Sequence, residues 1–210
     1  MKISLQNIGK RFNREWIFRN VSYDFSNENK YALLGTNGSG KSTLLQIIAG
    51  AMSQTEGEIK YEDKESNTLI SESVFNHLSY SAPYLELPEE MTWKEAVSFH
   101  GKFKKFVSGF SEEKIISLSG LESSTDKEIR NFSSGMKQRA RLTLAILSDT
   151  PLLLLDEPST NLDQNAVKWY QNLVSEFAKE KLVIVCSNYN KEEYLFCNKE
   201  FALSKNQINT

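Results

Sequence analysis

The sequence predicts an α/β fold built on a mostly parallel sheet, and three features carry the expectation. A short apolar run at residues 31–34 ends at a glycine-rich loop, and a segment of helical pattern follows it. Four leucines at 152–155 stand between Pro151 and the acids Asp156 and Glu157, which suits a strand buried on both faces. A third apolar run, 182–186, follows a further helical segment. Strands alternating with helices join in parallel, because a parallel crossover needs that length of chain.

Taken in order, residues 2–6 and 21–25 alternate apolar and polar side chains and read as strands, as does 57–61. A helix fits 41–49, with Gly50 placed to end it. The middle of the chain, about 88–148, changes character and reads as an inserted helical sub-domain. There Trp93, Val97, Phe99 and Phe103 recur at mixed helical spacings, 112–118 is a short helical candidate, and 139–147 is apolar on most faces and reads as a buried helix. Residues 161–179 read as a helix. Towards the end, 201–203 and Gln207-Ile208 flank Lys205-Asn206, which reads as a tight turn.

With 210 residues the chain is long enough for one well-cored domain, 1–210, and too short for two large ones. Its formal net charge is -2, against a broad basic surface for nucleic acid. No apolar run approaches the roughly 20 residues that a membrane helix needs. Residues 1–4 lead directly into polar sequence, with no apolar signal core. The two cysteines, Cys186 and Cys197, are expected to be free thiols of a cytoplasmic protein, and any membrane connection is expected through a partner.

The strongest motif is Gly35-Thr36-Asn37-Gly38-Ser39-Gly40-Lys41-Ser42-Thr43, which has the spacing of a phosphate-binding loop between a strand and a helix. Glycines let backbone N–H groups approach phosphate oxygens, the following helix adds its positive end, Lys41 reaches the terminal phosphates, and the Ser42 hydroxyl can bind magnesium. A phosphate loop alone indicates only a nucleoside triphosphate. The acidic pair narrows the reading: Asp156 would hold magnesium, and Glu157 would polarise an attacking water.

Phe132-Ser133-Ser134-Gly135-Met136-Lys137-Gln138-Arg139, just upstream of the acidic strand, resembles the signature motif of ABC (ATP-binding cassette) ATPases. Ser159-Thr160-Asn161-Leu162-Asp163 resembles that family's D-loop, and the order of motifs over residues 1–208 resembles a minimal ABC nucleotide-binding domain. The resemblance implies a P-loop NTPase core, an N-terminal antiparallel β sub-domain and the inserted helical sub-domain. It implies ATP and Mg2+ as ligands, with Lys41, Glu157 and Asn188 in catalysis and Ser42 and Asp156 at the metal. Phe12 would stack on adenine, with Trp16 and Phe18 as rivals. Ser133, Ser134, Gly135 and Asp163 would face an ATP held by a second copy, so that a homodimer closes over two ATP molecules. Ser133 or Ser134 also reads as a helix cap, and the two roles are compatible.

Two positions depart from the family. Asn188 stands where a histidine is common, and Pro83 stands at the glutamine position of the Q-loop, with Glu86 near enough to substitute. His77 and His100 read as surface or structural residues. The expected function is the ATP-hydrolysing subunit of a transporter, working on a separate membrane permease at the inner face of the cell membrane. The permease would dock near residues 83–103, where Tyr84, Trp93 and Phe99 read more readily as core than as interface. A soluble ABC ATPase without a permease, or a slow ATP-dependent regulatory module, is the alternative.

Overall fold

The computed structural model describes residues 1–203. The turn expected at Lys205-Asn206, with Gln207 and Ile208, lies outside the described residues. Two sheets organise the rest. The first is antiparallel and four-stranded, in the order β2-β1-β4-β5, made from β1 (Lys2–Phe12), β2 (Glu15–Ser26), β4 (Glu56–Glu62) and β5 (Thr68–Leu69). β1 and β2 run well beyond the alternating stretches that announce them. Their ladder tolerates register shifts between Leu5 and Ile8 and again near Lys10, and such shifts break the strict alternation a sequence reading relies on.

The second sheet is five-stranded and parallel throughout, in the order β6-β7-β8-β3-β9. It comprises β3 (Lys30–Leu34), β6 (Leu78–Ser81), β7 (Leu152–Asp156), β8 (Leu182–Ser187) and β9 (Lys199–Ala202). Every residue of β7 and β8 is buried. The side-chain period of two divides them between two cores. Leu153, Leu155, Val183 and Val185 pack with the helical part of the chain, whereas Leu152, Leu154, Leu182, Ile184 and Cys186 pack with α1 (Lys41–Ile48) and the antiparallel sheet. The unbroken leucine run is thus a strand with apolar partners on both faces, as the sequence implies.

Between β6 and β7 the chain makes α2 (Trp93–Phe103), α3 (Glu112–Ser119) and α4 (Ser134–Leu147). α2 starts at a capping box in which the Thr92 hydroxyl accepts from the Glu95 N–H and the Glu95 carboxylate accepts from the Thr92 N–H. Trp93 is fully buried, but Phe103 is 73% exposed and Phe99 40% exposed. Of the three aromatics read as core, then, only Trp93 is; Tyr84 and Phe99 are exposed. α4 begins at Ser134, earlier than the apolar pattern suggests, because the Ser133 hydroxyl accepts from the Met136 N–H and caps it. The last long helix, α5 (Gln164–Phe177), starts later than 161 because Asn161 takes φ 64° and Asp163 is the cap, its carboxylate accepting from the Ala166 N–H at 2.8 Å. Both cysteines are free thiols.

Candidate functional site

The loop 35–40 leaves β3 and enters α1. Gly40 sits at φ 96°, in the left-handed region that favours glycine, and a Cβ there would come within 2.6 Å of Ile17 and 2.8 Å of Phe18. Only glycine lets the loop turn into the helix at that point while β2 packs behind it. Thr36, Asn37 and Gly38 form an exposed tip, and Ser39 turns back inside. Lys41 is buried, and its ammonium donates to the carbonyl oxygens of Gly35 at 2.8 Å and Thr36 at 3.1 Å. A cation is therefore held at the mouth of a loop that also sits at a helix N-terminus, two features that favour an anion. A cleft of about 320 Å³ is lined by Ile17, Asn37, Gly38, residues 40–43 and Glu157.

β7 delivers the two acids. Asp156 is 2% exposed, and neither of its carboxylate oxygens has a hydrogen-bond partner among the described residues. Burial pushes its carboxyl above the usual carboxylate range. The Ser42 hydroxyl, the Lys41 ammonium and the Tyr84 hydroxyl pull it back in part, and Glu157 adds to the rise. A buried, unpartnered carboxylate facing Ser42 is the donor set that a hard cation takes, so Mg2+ fits here. Glu157 follows at φ 43°. Its N–H donates to the Cys186 carbonyl at 3.0 Å and its own carbonyl accepts from the Thr160 N–H at 3.1 Å. The strained backbone turns this half-buried side chain out of the strand end and into the cleft.

Ser133, Gly135, Met136, Asn161, Leu162 and Asp163 line a separate cleft of about 380 Å³. Gly135 lies against the Asn161 carbonyl, which a Cβ would approach to 2.9 Å. None of the residues lining this cleft lines the phosphate-loop cleft. The signature serines do not complete the phosphate-loop site of their own chain.

Comparison with known proteins decides what kind of site this is. Residues 18–160 match the family model for ABC transporter proteins. The chain belongs to the ABC transporter family. It is 28% identical over 190 residues to the lantibiotic transport ATP-binding protein SrtF of Streptococcus pyogenes, covering 89% of this chain and 80% of that one. It is 29% identical over 209 residues to the ABC transporter ATP-binding protein YybJ of Bacillus subtilis, covering 99% and 95%. The fold matches that of an ABC transporter ATP-binding protein from Pyrococcus furiosus with TM-score 0.79 at 18% identity, over 97% and 98% of the two chains. It matches the bacterial cassette MJ0796, solved as a dimer, with TM-score 0.79 at 21% identity, over 96% and 94%. The chain is an ATP-binding, ATP-hydrolysing subunit of the ABC transporter kind.

The remaining candidates can be placed on this ABC cassette. Phe12, at the end of β1, is 45% exposed with the Lys10 ammonium 5.0 Å from its ring. Phe18 is fully buried, and Trp16 lies between the Arg11 and Arg19 guanidiniums at 5.2 and 4.2 Å, so of the three aromatics Phe12 is the one with an open face. Asn188 is exposed just past β8. Beyond β6 it is Tyr84, not Glu86, that turns towards Asp156; Gln46 Nε2 donates to its hydroxyl at 3.0 Å, and Tyr80 hydrogen-bonds it as well. Gln46 lies one turn from Ser42 on α1. Glu86 instead lies near the Arg141 guanidinium. His100 is buried, with its Nε2 2.8 Å from the Ser148 hydroxyl, and burial lowers its pKa to about 4.

Sequence reasoning missed two supports of the acidic loop. Gln138, fully buried in α4, donates to the Pro158 carbonyl, and Glu193 accepts from Ser159. Gln138 belongs to the signature stretch, so its motif marked it without giving its role; Glu193 sits in a charged run that carries no signal.

Proposed function

We propose that two copies of this chain close head-to-tail over two ATP molecules, and that closing and reopening drive a separate membrane permease. The observation that carries this reading is the division of the site: the phosphate loop with Glu157 in one cleft, Ser133 and Gly135 with the D-loop in another, and no lining residue in common. A chain that holds both halves apart needs a second copy to bring them together around one nucleotide. The dimeric cassette MJ0796 supports the same arrangement.

In this reading residues 35–43 hold the phosphates through backbone N–H groups, with Lys41 on the terminal ones. Ser42 and Asp156 hold Mg2+. When bound, that ion supplies positive charge that offsets the negative charge of the phosphates. Glu157 accepts a proton from a water molecule whose oxygen bonds to the γ-phosphorus, while the bond from that phosphorus to the bridging oxygen breaks and ADP leaves. Asn188 donates an amide hydrogen bond to the γ-phosphate and cannot itself take up a proton. Phe12 stacks on the adenine. From the second copy, Ser133, Ser134 and Gly135 offer donors at the N-terminus of α4, and Asp163 lies beside them at the start of α5.

The permease docks in an apolar groove of about 500 Å³ between β6 and α2, lined in part by Phe75, Leu85, Leu87 and Phe103. Phe75 is 60% exposed. Exposed large apolar side chains clustered around one groove favour a protein partner. No helix of the described residues is long and apolar enough to cross a membrane, and the groove supports attachment through a partner at the cytoplasmic face. Phe103→Asp together with Phe75→Asp should abolish co-purification of a membrane-spanning protein from gently solubilised cells and leave ATP affinity unchanged. Retention of the partner by the double variant would contradict the docking site.

A further inference from the structure

Glu193 touches neither nucleotide nor metal in the proposed mechanism, yet it is 4% exposed. It lies in the segment after β8, six residues beyond Ser187. Its side chain accepts three hydrogen bonds: from the Ser159 hydroxyl at 2.7 Å, from the Ser159 N–H at 3.3 Å and from the Ser187 hydroxyl at 2.5 Å. Asn190 completes the cluster, its side-chain amide donating to Ser159 Oγ at 3.0 Å and its N–H to Ser187 Oγ at 3.1 Å. Ser159 is two residues past Glu157, and Ser187 immediately precedes Asn188.

We propose that Glu193 is a positioning residue that holds the Glu157 loop and the Asn188 loop in one fixed relationship by accepting hydrogen bonds from both. The inference rests on Glu157 acting as the base. The division of labour within Glu193 supports it. Its backbone carbonyl accepts from the Tyr170 hydroxyl at 2.8 Å and so anchors the segment to α5. The carboxylate is not needed for that anchor, and all three of its donors lie on the two loops. On the other side of the same turn Gln138 grips the Pro158 carbonyl at 2.8 Å. Residues 158 and 159 are thus held from two directions immediately beyond the strained Glu157 backbone, and such a backbone persists only where its surroundings over-determine it.

Energetics separate this role from mere scaffolding. Burial raises the Glu193 carboxyl above its usual range, and the charge of Glu157 adds to the rise; the hydroxyls and amide around it offset this only in part. No cation is paired with it among the described ion pairs. A glutamine of the same shape would avoid the cost of a buried charge, so Glu193→Gln should not loosen the fold. It would, however, present an N–H2 where the carboxylate accepted, and one of the two serine hydroxyls would meet a donor instead of an acceptor.

The test is a double-mutant cycle on the full chain, with Glu193→Gln, Glu157→Gln and both together. ATP affinity, melting temperature and steady-state phosphate release are measured for each. Glu193→Gln is expected to lower kcat roughly 10- to 100-fold, the scale of a misplaced reacting group. ATP affinity and melting temperature should stay at wild-type values. On the Glu157→Gln background the same change should leave the residual rate unmoved, because a group that acts by placing the base has nothing left to place. An unchanged kcat or an equal loss on both backgrounds would overturn the proposal. Ser159→Ala removes the hydroxyl donor at the other end of the clamp and gives the same readouts should Glu193→Gln fail to fold. A Glu157→Gln variant with full activity would instead overturn the assignment of the base.

Discussion

Gln138 Nε2 donates a 2.8 Å hydrogen bond to the carbonyl oxygen of Pro158, and its Oε1 accepts from the Arg141 guanidinium at 2.8 and 3.2 Å. One fully buried side chain therefore joins the helix that begins at the signature serines to the turn that follows Glu157. Gln138→Ala would strand the Pro158 carbonyl and leave Arg141 with only the Leu85 carbonyl of its two acceptors. The expected cost is roughly 1–3 kcal/mol for the unsatisfied groups, or about 2–4 °C in melting temperature per kcal/mol for a chain of this size. Turnover should fall as well, whereas ATP affinity should hold, since Gln138 does not line the phosphate-loop cleft. Calorimetry and a phosphate-release assay on the same preparation check both halves.

Lys41→Ala removes the ammonium at the mouth of the phosphate loop. A hydrogen bond to a charged group is worth about 1.5–3 kcal/mol, so ATP affinity should fall by roughly 10- to 100-fold. Titration calorimetry in the presence of a chelator isolates the lysine from the metal. Unchanged affinity would mean that the loop does not bind the phosphates.

Asp156 gives a prediction of opposite sign for stability and for ligand binding. Its carboxyl is raised by burial, so the folded protein binds that proton more tightly than the unfolded chain does. The linked stability is present at acid pH and is lost as pH rises through the folded-state value. Asp156→Asn removes the ionisation. The variant without nucleotide should melt above wild type at pH 7, with the gap closing towards about pH 4, the ordinary carboxylate value. The same variant should lose most of the stabilisation that Mg2+ with ATP gives the wild type. Thermal melts across that pH range, with and without Mg2+ and ATP, read out both effects.

Asn188 cannot titrate, so the rate of the isolated chain should vary little between about pH 6 and 8. Asn188→His places an imidazole at an exposed loop position with room for the ring. Phosphate release should then acquire a pH dependence in that range that the wild type lacks. A steep titration in the wild type would mean that another group senses the phosphate.

Much of this molecule was legible because its signals are local. The phosphate loop needs glycine where φ is positive, as at Gly40, and the buried strand needs leucine on both faces, as at residues 152–155; each leaves a mark in a few consecutive letters. The order of those motifs carried the family. What was not legible depends on long-range contacts. The extent of β1 past Gln6 depends on register shifts in its ladder with β2. The outward faces of Phe99 and Phe103 depend on which side of α2 meets the core. Tyr84 near Asp156, Gln138 on Pro158 and Glu193 on Ser159 each join residues 20 to 72 positions apart. No spacing rule connects them.

In the proposed arrangement a second copy completes the ATP site. Glu157→Gln keeps the shape of the side chain and removes the base, which typically slows hydrolysis by roughly 100- to 10,000-fold. ATP should therefore hold the two copies together. Light scattering on a sizing column, with Mg2+ and ATP at high protein concentration, should show the 24.0 kDa chain at twice its mass and return it to a monomer when ADP replaces ATP. A variant that binds ATP and yet stays monomeric at every concentration would contradict the shared site.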